Sequence, residues 1–247
     1  DDDVKAVVFR VNSPGGSAYG SEQIWYAVNQ LKKEKPVIVS MGDYAASGGY
    51  YISCGADTIV AEPTTLTGSI GIFGMVPNVK ELTDKIGLSY DVVKTNKYAD
   101  FGNIMRPFSE GEKALLQMMV AEGYDTFITR CAEGRHTTKE AIEKIAEGRV
   151  WTGEAAKELG LVDELGGIDK ALDIAIAKAR VGGYTIVSYP EKKDVLSSLL
   201  DTKPTNYVES QLLKSKLGEY YRQFGLLTNL KEQSMIQARV PFELNIK

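Results

Sequence analysis

A chain of 247 residues, 43% hydrophobic and 25% charged, has the composition of a globular protein able to bury a large core. Its net charge of −4 argues against a nucleic-acid surface, which needs clustered Lys and Arg. No apolar run approaches the ~18–20 residues of a membrane span. The chain opens on Asp1-Asp2-Asp3-Val4 without an initiator Met or signal peptide, and so reads as a piece of a longer protein whose anchor or upstream domain lies elsewhere.

In chain order, Lys5-Ala6-Val7-Val8-Phe9-Arg10-Val11 is a nearly continuous apolar run of the kind found in buried parallel strands. The turn Asn12-Ser13-Pro14-Gly15-Gly16 closes it. A helix follows, with Ser21 as its expected N-cap and Ile24, Val28 and Leu31 on one face, and Pro36 ends it. Val37-Ile38-Val39-Ser40 reads as a second strand, Ala45 to Cys54 as a helix start, Thr58-Ile59-Val60-Ala61 as a third strand and Val79 to Ile86 as a helix. Strand and helix alternating at this spacing call for crossover connections and a parallel sheet, an α/β fold.

Beyond residue 108 the pattern turns helical. Ser109-Glu110-Gly111-Glu112 is a capping box ahead of a long helix with Leu116, Val120, Gly123, Phe127 and Cys131 on one side. Thr137-Thr138-Lys139-Glu140 opens another helix, Thr152 caps a third that stops near Gly160, and a fourth runs from about Asp169 to Ala179. Gly182-Gly183 mark a boundary before the strand-like Tyr184-Thr185-Ile186-Val187. The expected division is therefore a domain over 1–180 and an extension over 181–247, with a helix carrying Val208, Leu212 and Tyr220 and an irregular stretch from Arg239 to Lys247.

The chemistry concentrates in Ala45-Ala46-Ser47-Gly48-Gly49-Tyr50, a hydroxyl beside a glycine pair. A second pair, Gly15-Gly16, lies at the end of the preceding strand. Open α/β sheets place their sites at the carboxyl ends of strands, where the two pairs converge. A serine nucleophile needs a base and backbone N–H groups for the oxyanion, and the glycine turns supply the latter. A Ser-His-Asp triad needs imidazole, and the one histidine, His136, stands in a polar helix start. No G-x-S-x-G, S-x-x-K, G-x-G-x-x-G or Walker pattern is present. A lysine base remains. Lys94 and Lys97 are the in-chain candidates, against a plainer reading as solvated loop residues. Cys54 and Cys131 have no metal-site spacing and read as buried free thiols, with a bridge between them left open. No cofactor or metal is expected.

Several segments together resemble the signal peptide peptidases of the protease IV type. They are Val11-Asn12-Ser13-Pro14-Gly15-Gly16-Ser17, Val39-Ser40-Met41-Gly42, Ala45 to Ser53, Leu66-Thr67-Gly68-Ser69-Ile70-Gly71, Gly148-Arg149-Val150-Trp151-Thr152-Gly153 and Gly160-Leu161-Val162-Asp163. The resemblance implies a ClpP/crotonase-like fold and a membrane-tethered serine protease that degrades signal-peptide remnants with a Ser-Lys dyad. Carried over by position, Ser47 is the nucleophile, Gly15, Gly16 and Gly48 form the oxyanion hole, and Ser69 orients the lysine. A turn serine satisfying local backbone is the plainer reading of Ser69.

Short members of that family carry the lysine in the loop after the strand matching Tyr90 to Lys94, where this chain has Ala99 beside Asp100. Long members hold two copies of the fold, the first giving lysine and the second serine. The chain resembles the second copy. The implied partners are an N-terminal half of the same protein, cleaved signal peptides and further copies in a homo-oligomer, a tetramer by expectation. The implied location is the bacterial cell envelope. Lys97 stays open as an in-chain base. Two rival classes stand beside this one: crotonase-type acyl-CoA chemistry, and a non-catalytic fold copy kept for assembly. Tyr50, Tyr51, Ile72, Phe73 and Met75 suit either an apolar substrate pocket or core packing.

Overall fold

The computed structural model describes residues 1–190 and the backbone of 236–239. Its centre is β3 (Val37–Ala46), ten residues of which only Asp43 is exposed. On one side β3 pairs in parallel with β1 (Val7–Ser13). On the other its first half pairs with β4 (Thr58–Ala61), and its last three residues pair with β5 (Leu66–Gly68), both parallel. β8 (Glu164–Leu165) extends the sheet in parallel beyond β4. β7 (Val150–Thr152) closes the other edge beside β5 and is antiparallel, so the expected parallel sheet is mixed at this border.

Both faces of the sheet are covered, and the side-chain alternation of β3 and β4 divides the core accordingly. Val39, Met41, Ile59 and Ala61 join the larger cluster with Phe127, Ile128 and Cys131 of the long helix α4 (Glu110–Gly134). Ile38 and Val60 face the other way, onto Ala171 and Ala175 of α7 (Ile168–Ala179). The crossover between β1 and β3 is α1 (Ala18–Glu34), preceded by the short β2 (Gly15–Ser17). Its N-cap is Ser17, not Ser21. The chain leaves β2 in an extended conformation at Ser17, whose hydroxyl accepts from the Gly20 N–H at 3.2 Å. Ser21 lies one turn inside, where its own hydroxyl donates to the Ser17 carbonyl.

The remaining caps fall where the sequence puts them. Ser109 and Glu112 form the reciprocal box that starts α4. Thr138 caps α5 (Lys139–Glu143) and Thr152 caps α6 (Gly153–Glu158). α3 (Lys80–Lys85) lies within the expected Val79–Ile86 helix. Two strand expectations fail. Residues 90–94 are exposed and irregular, and so are 184–187, because no neighbouring strand receives their backbone among the described residues. The helix expected around Val208, Leu212 and Tyr220 lies outside the described residues.

Two compact units result: Asp1–Val181 with Ser234–Lys247, and Gly182–Gln233. Of the extension expected over 181–247, only residues 181–190 and the backbone of 236–239 lie among the described residues. Arg239, placed by sequence at the start of an irregular stretch, ends the strand β9 (Ile236–Arg239). That strand forms the middle of a second, three-stranded sheet between β2 and β6 (Phe73–Gly74), antiparallel to both. No helix among the described residues is long and apolar enough to cross a membrane.

Candidate active site

Ser47 stands where β3 hands the chain to α2 (Gly48–Ser53). Its backbone has φ 53° and ψ −116°, a conformation that residues with a Cβ rarely adopt. Such strain costs on the order of 1–3 kcal/mol and persists only where the surroundings over-determine it. Here they do. The Ser47 N–H donates to the Gly68 carbonyl at 2.8 Å, and the Ser47 carbonyl accepts from the Tyr51 N–H at 2.8 Å. α2 is itself pinned. Tyr50 is fully buried with its hydroxyl donating to the Leu161 carbonyl at 3.0 Å, and the Tyr51 ring lies 4.5 Å from that of Phe127.

Held this way, the Ser47 side chain is completely inaccessible, and its hydroxyl has no hydrogen-bond partner among the described residues. Burying an unpaired hydroxyl costs roughly 1–3 kcal/mol. Strain and an orphaned polar atom thus fall on one residue, at the carboxyl end of the central strand.

The two glycine pairs do converge on it. A Cβ on Gly49 would lie 2.5 Å from the Ser13 carbonyl oxygen, so the end of β1 packs directly against the first turn of α2. Gly48, the first residue of α2, has no intrahelical acceptor for its N–H. Gly15 sits at φ +102°, in glycine territory, and its N–H donates to the Ser13 hydroxyl at 3.2 Å. Gly16 has open space at its α-carbon.

Ser69 is placed by the same ladder. Ala46 pairs with Gly68, so Ser47 and Ser69 are the next residues on neighbouring parallel strands. Ser69 is 2% exposed with φ 48°, and its N–H donates to the Arg149 carbonyl at 2.7 Å. The two serines are thus brought together as two buried hydroxyl-bearing residues, both with positive φ.

The lysines are elsewhere. Lys94 is exposed and paired with Asp100 at 3.0 Å. Arg106 and Lys94 together hold the Asp100 carboxyl at about 2, and Arg106 with the Ser109 backbone and hydroxyl holds Glu112 far below the usual carboxylate range. This network fixes the loop around Ala99. Lys97 is also exposed, its ammonium 5.2 Å from the Tyr98 ring centroid, and it makes no hydrogen bond to Ser47. His136 is exposed at a helix end. The expected pocket residues split. Tyr50 and Tyr51 are core, Ile72 packs against the core, Phe73 lies in β6, and Met75 is half exposed.

Other segments singled out in the sequence serve the scaffold. Arg135 reaches across to Asp163, whose carboxylate also accepts the Ile59 N–H at 2.7 Å. Trp151 donates its indole N–H to the Ile145 carbonyl and lies against Gly68, at φ +76°. Cys54 and Cys131 are both free and buried, and burial pushes the Cys131 thiol up. No trio of His, Cys, Asp and Glu among the described residues has a metal-binding arrangement.

Two features escaped the sequence reading. Ser13 touches both glycine pairs, through its carbonyl at Gly49 and its hydroxyl at Gly15. β9 borders the Gly15-Gly16 strand, and the alternation of Ile236, Ala238 and Val240 was the available signal.

The chain is 45% identical to Protease 4 of Salmonella typhi over 82% of its own length and 33% of that protein. It is 37% identical to the chloroplastic serine protease SPPA of Arabidopsis thaliana over 96% of its length and 34% of that protein. It therefore spans about a third of these relatives. A ClpP1 variant from Listeria monocytogenes matches with a TM-score of 0.46 and 17% identity, over 68% of this chain and 77% of that one. The sequence model of Peptidase family S49 matches residues 29–182, more than half of the chain, and the chain belongs to that family.

Proposed function

We propose that this chain carries the nucleophile and the oxyanion-binding backbone of a serine endopeptidase, and that an amine from outside the chain is its base. The observation that carries this reading is the Ser47 hydroxyl, buried on a strained strand-to-helix turn and unpartnered among the described residues. A neutral lysine amine placed beside it takes the Oγ proton as Oγ attacks the scissile carbonyl. The N–H of Gly48, with the Gly16 turn, faces the oxyanion. The resulting ammonium then protonates the leaving amine, and water hydrolyses the acyl-serine by the same route. A lysine is neutral near pH 7 only if burial lowers its pKa from ~10.4, and a fully enclosed serine offers that dry setting. In this reading the Ser69 hydroxyl orients the amine.

A second polypeptide segment fits the length relation, because the relatives are more than twice as long as this chain. The first copy of the fold in the same protein is the proposed source of the lysine, within a homo-oligomer. Apolar signal-peptide remnants at a membrane are the proposed substrates, on the strength of the family resemblance. Acyl-CoA chemistry is disfavoured here because Asp43, the acidic residue that flanks the glycine turns in the sequence, is exposed on β3.

A serine-directed phosphonate probe tests the reading on the full-length protein. Labelling is expected at Ser47, located by peptide mapping. Absence of labelling at Ser47, with turnover of an acyl-CoA, overturns it in favour of crotonase-type chemistry.

A further inference from the structure

We infer that Cys54 and Cys131 form a reversible disulfide that clamps α2, the helix opened by Ser47, onto α4. They are the only cysteines of the chain, so neither has a competing partner within it. Both are wholly buried in the larger core cluster, and both are free thiols in this structure. Cys54 is the C-cap of α2, and Cys131 lies in the last turn of α4.

The packing of the two helices sets the thiols against each other. Tyr51 and Phe127 meet with their ring centroids 4.5 Å apart. Cys54 follows Tyr51 by three residues and Cys131 follows Phe127 by four, each one turn further along the same face. Beyond Cys131, Gly134 has no room for a Cβ, because one there would overlap the Cys54 carbonyl. Cys131 thus lies between two points at which α4 already touches the α2 segment. The Cys54 thiol donates to the Tyr51 carbonyl at 3.2 Å. Burial first, and then a hydrogen bond with Cys54, hold the Cys131 thiol well above its ordinary range. No other side chain joins the pair in a metal-binding group among the described residues.

The oxidant class is a disulfide, of low molecular weight or carried by a thiol–disulfide oxidoreductase. The deprotonated Cys54 sulfur attacks one sulfur of that disulfide and expels the other as a thiolate. The deprotonated Cys131 sulfur then attacks Cys54 in the mixed disulfide and expels the second thiolate. Two cysteines are oxidised by two electrons, the oxidant is reduced to two thiols, and those thiols take up the two protons. Buried thiols react only when the segment opens, so the exchange should quicken in mild denaturant. The closed bond spans β4, β5, β6 and α3, and cross-links over so long a loop restrict the unfolded chain most.

The test does not depend on the peptidase reading. Full-length protein is held with glutathione disulfide in sub-denaturing urea, quenched in acid, alkylated under denaturing conditions and mapped by mass spectrometry. The expected product is a Cys54–Cys131 linked peptide that dithiothreitol separates. The oxidised protein should melt about 5–10 °C above the reduced one. Cys131→Ala and Cys54→Ala should each abolish that difference, whatever they do to the melting point itself. Alkylation of both thiols after oxidation overturns the inference, as does finding either one joined to glutathione or to another cysteine. A linked pair with no gain in melting point refutes the clamp.

Discussion

Replacing Ser47 with alanine in the full-length protein is expected to lower kcat/KM for peptide hydrolysis by about 10⁴-fold or more, the scale at which removal of a nucleophile acts in hydrolases of this type. The fold should not suffer. Among the described residues the Ser47 hydroxyl has no partner to lose, and its removal relieves the desolvation of a buried polar atom. Alanine retains the Cβ, so the strain at φ 53° stays. The unfolding midpoint should therefore stay level or rise slightly while activity disappears. Steady-state kinetics and a thermal melt on the same preparation give both halves of the result. Retained hydrolysis would favour a fold copy kept for assembly. A large fall in the melting midpoint would mean that the hydroxyl has a structural partner after all.

Gly49→Ala should damage both properties at once. The added methyl would meet the Ser13 carbonyl oxygen at 2.5 Å, a distance no carbon–oxygen contact sustains. That oxygen belongs to backbone at the end of β1 and cannot rotate away, so α2 must shift. Overpacking of this kind costs about 1–3 kcal/mol. Displacement of the helix also carries Ser47, and a misplacement near 1 Å commonly costs about 10²-fold in rate. Gly182→Ala is the control. A methyl there meets nothing within 4 Å, so both stability and turnover should match the parent. Chemical denaturation and kcat measured on the pair check this. A Gly49→Ala protein as stable and active as Gly182→Ala would show that β1 and α2 are not packed as described.

Much of this arrangement was legible in the residues. The continuous apolar runs at 5–11 and 37–40 announced buried parallel strands, and β1 and β3 are those strands. Caps with two-part signatures, such as Ser109 with Glu112, were readable because both partners lie within one helical turn. The Ser17 cap was missed because it depends on where β2 ends, which is fixed by pairing to a strand more than two hundred residues away. Tyr184 to Val187 has strand-like composition, yet β-propensity has little force without a neighbouring edge. Ser47 and Gly48 could be singled out from their turn chemistry. The hydrogen bond from the Gly15 N–H to the Ser13 hydroxyl spans two residues, a local Ser turn contact that went unread in the sequence. Among the described residues, Lys97 is exposed and Lys94 is paired with Asp100, in the loop where the sequence has Ala99.

The most direct measurement compares peptide turnover by this 247-residue chain alone with turnover by the full-length protein, using a fluorogenic peptide with a small apolar residue before the scissile bond. Expected is a rate at least about 10³-fold lower for the chain alone, since removing one member of a catalytic pair costs several orders of magnitude. Brisk hydrolysis by the isolated chain, abolished by Lys97→Ala, would contradict the claim that the activating amine comes from another segment.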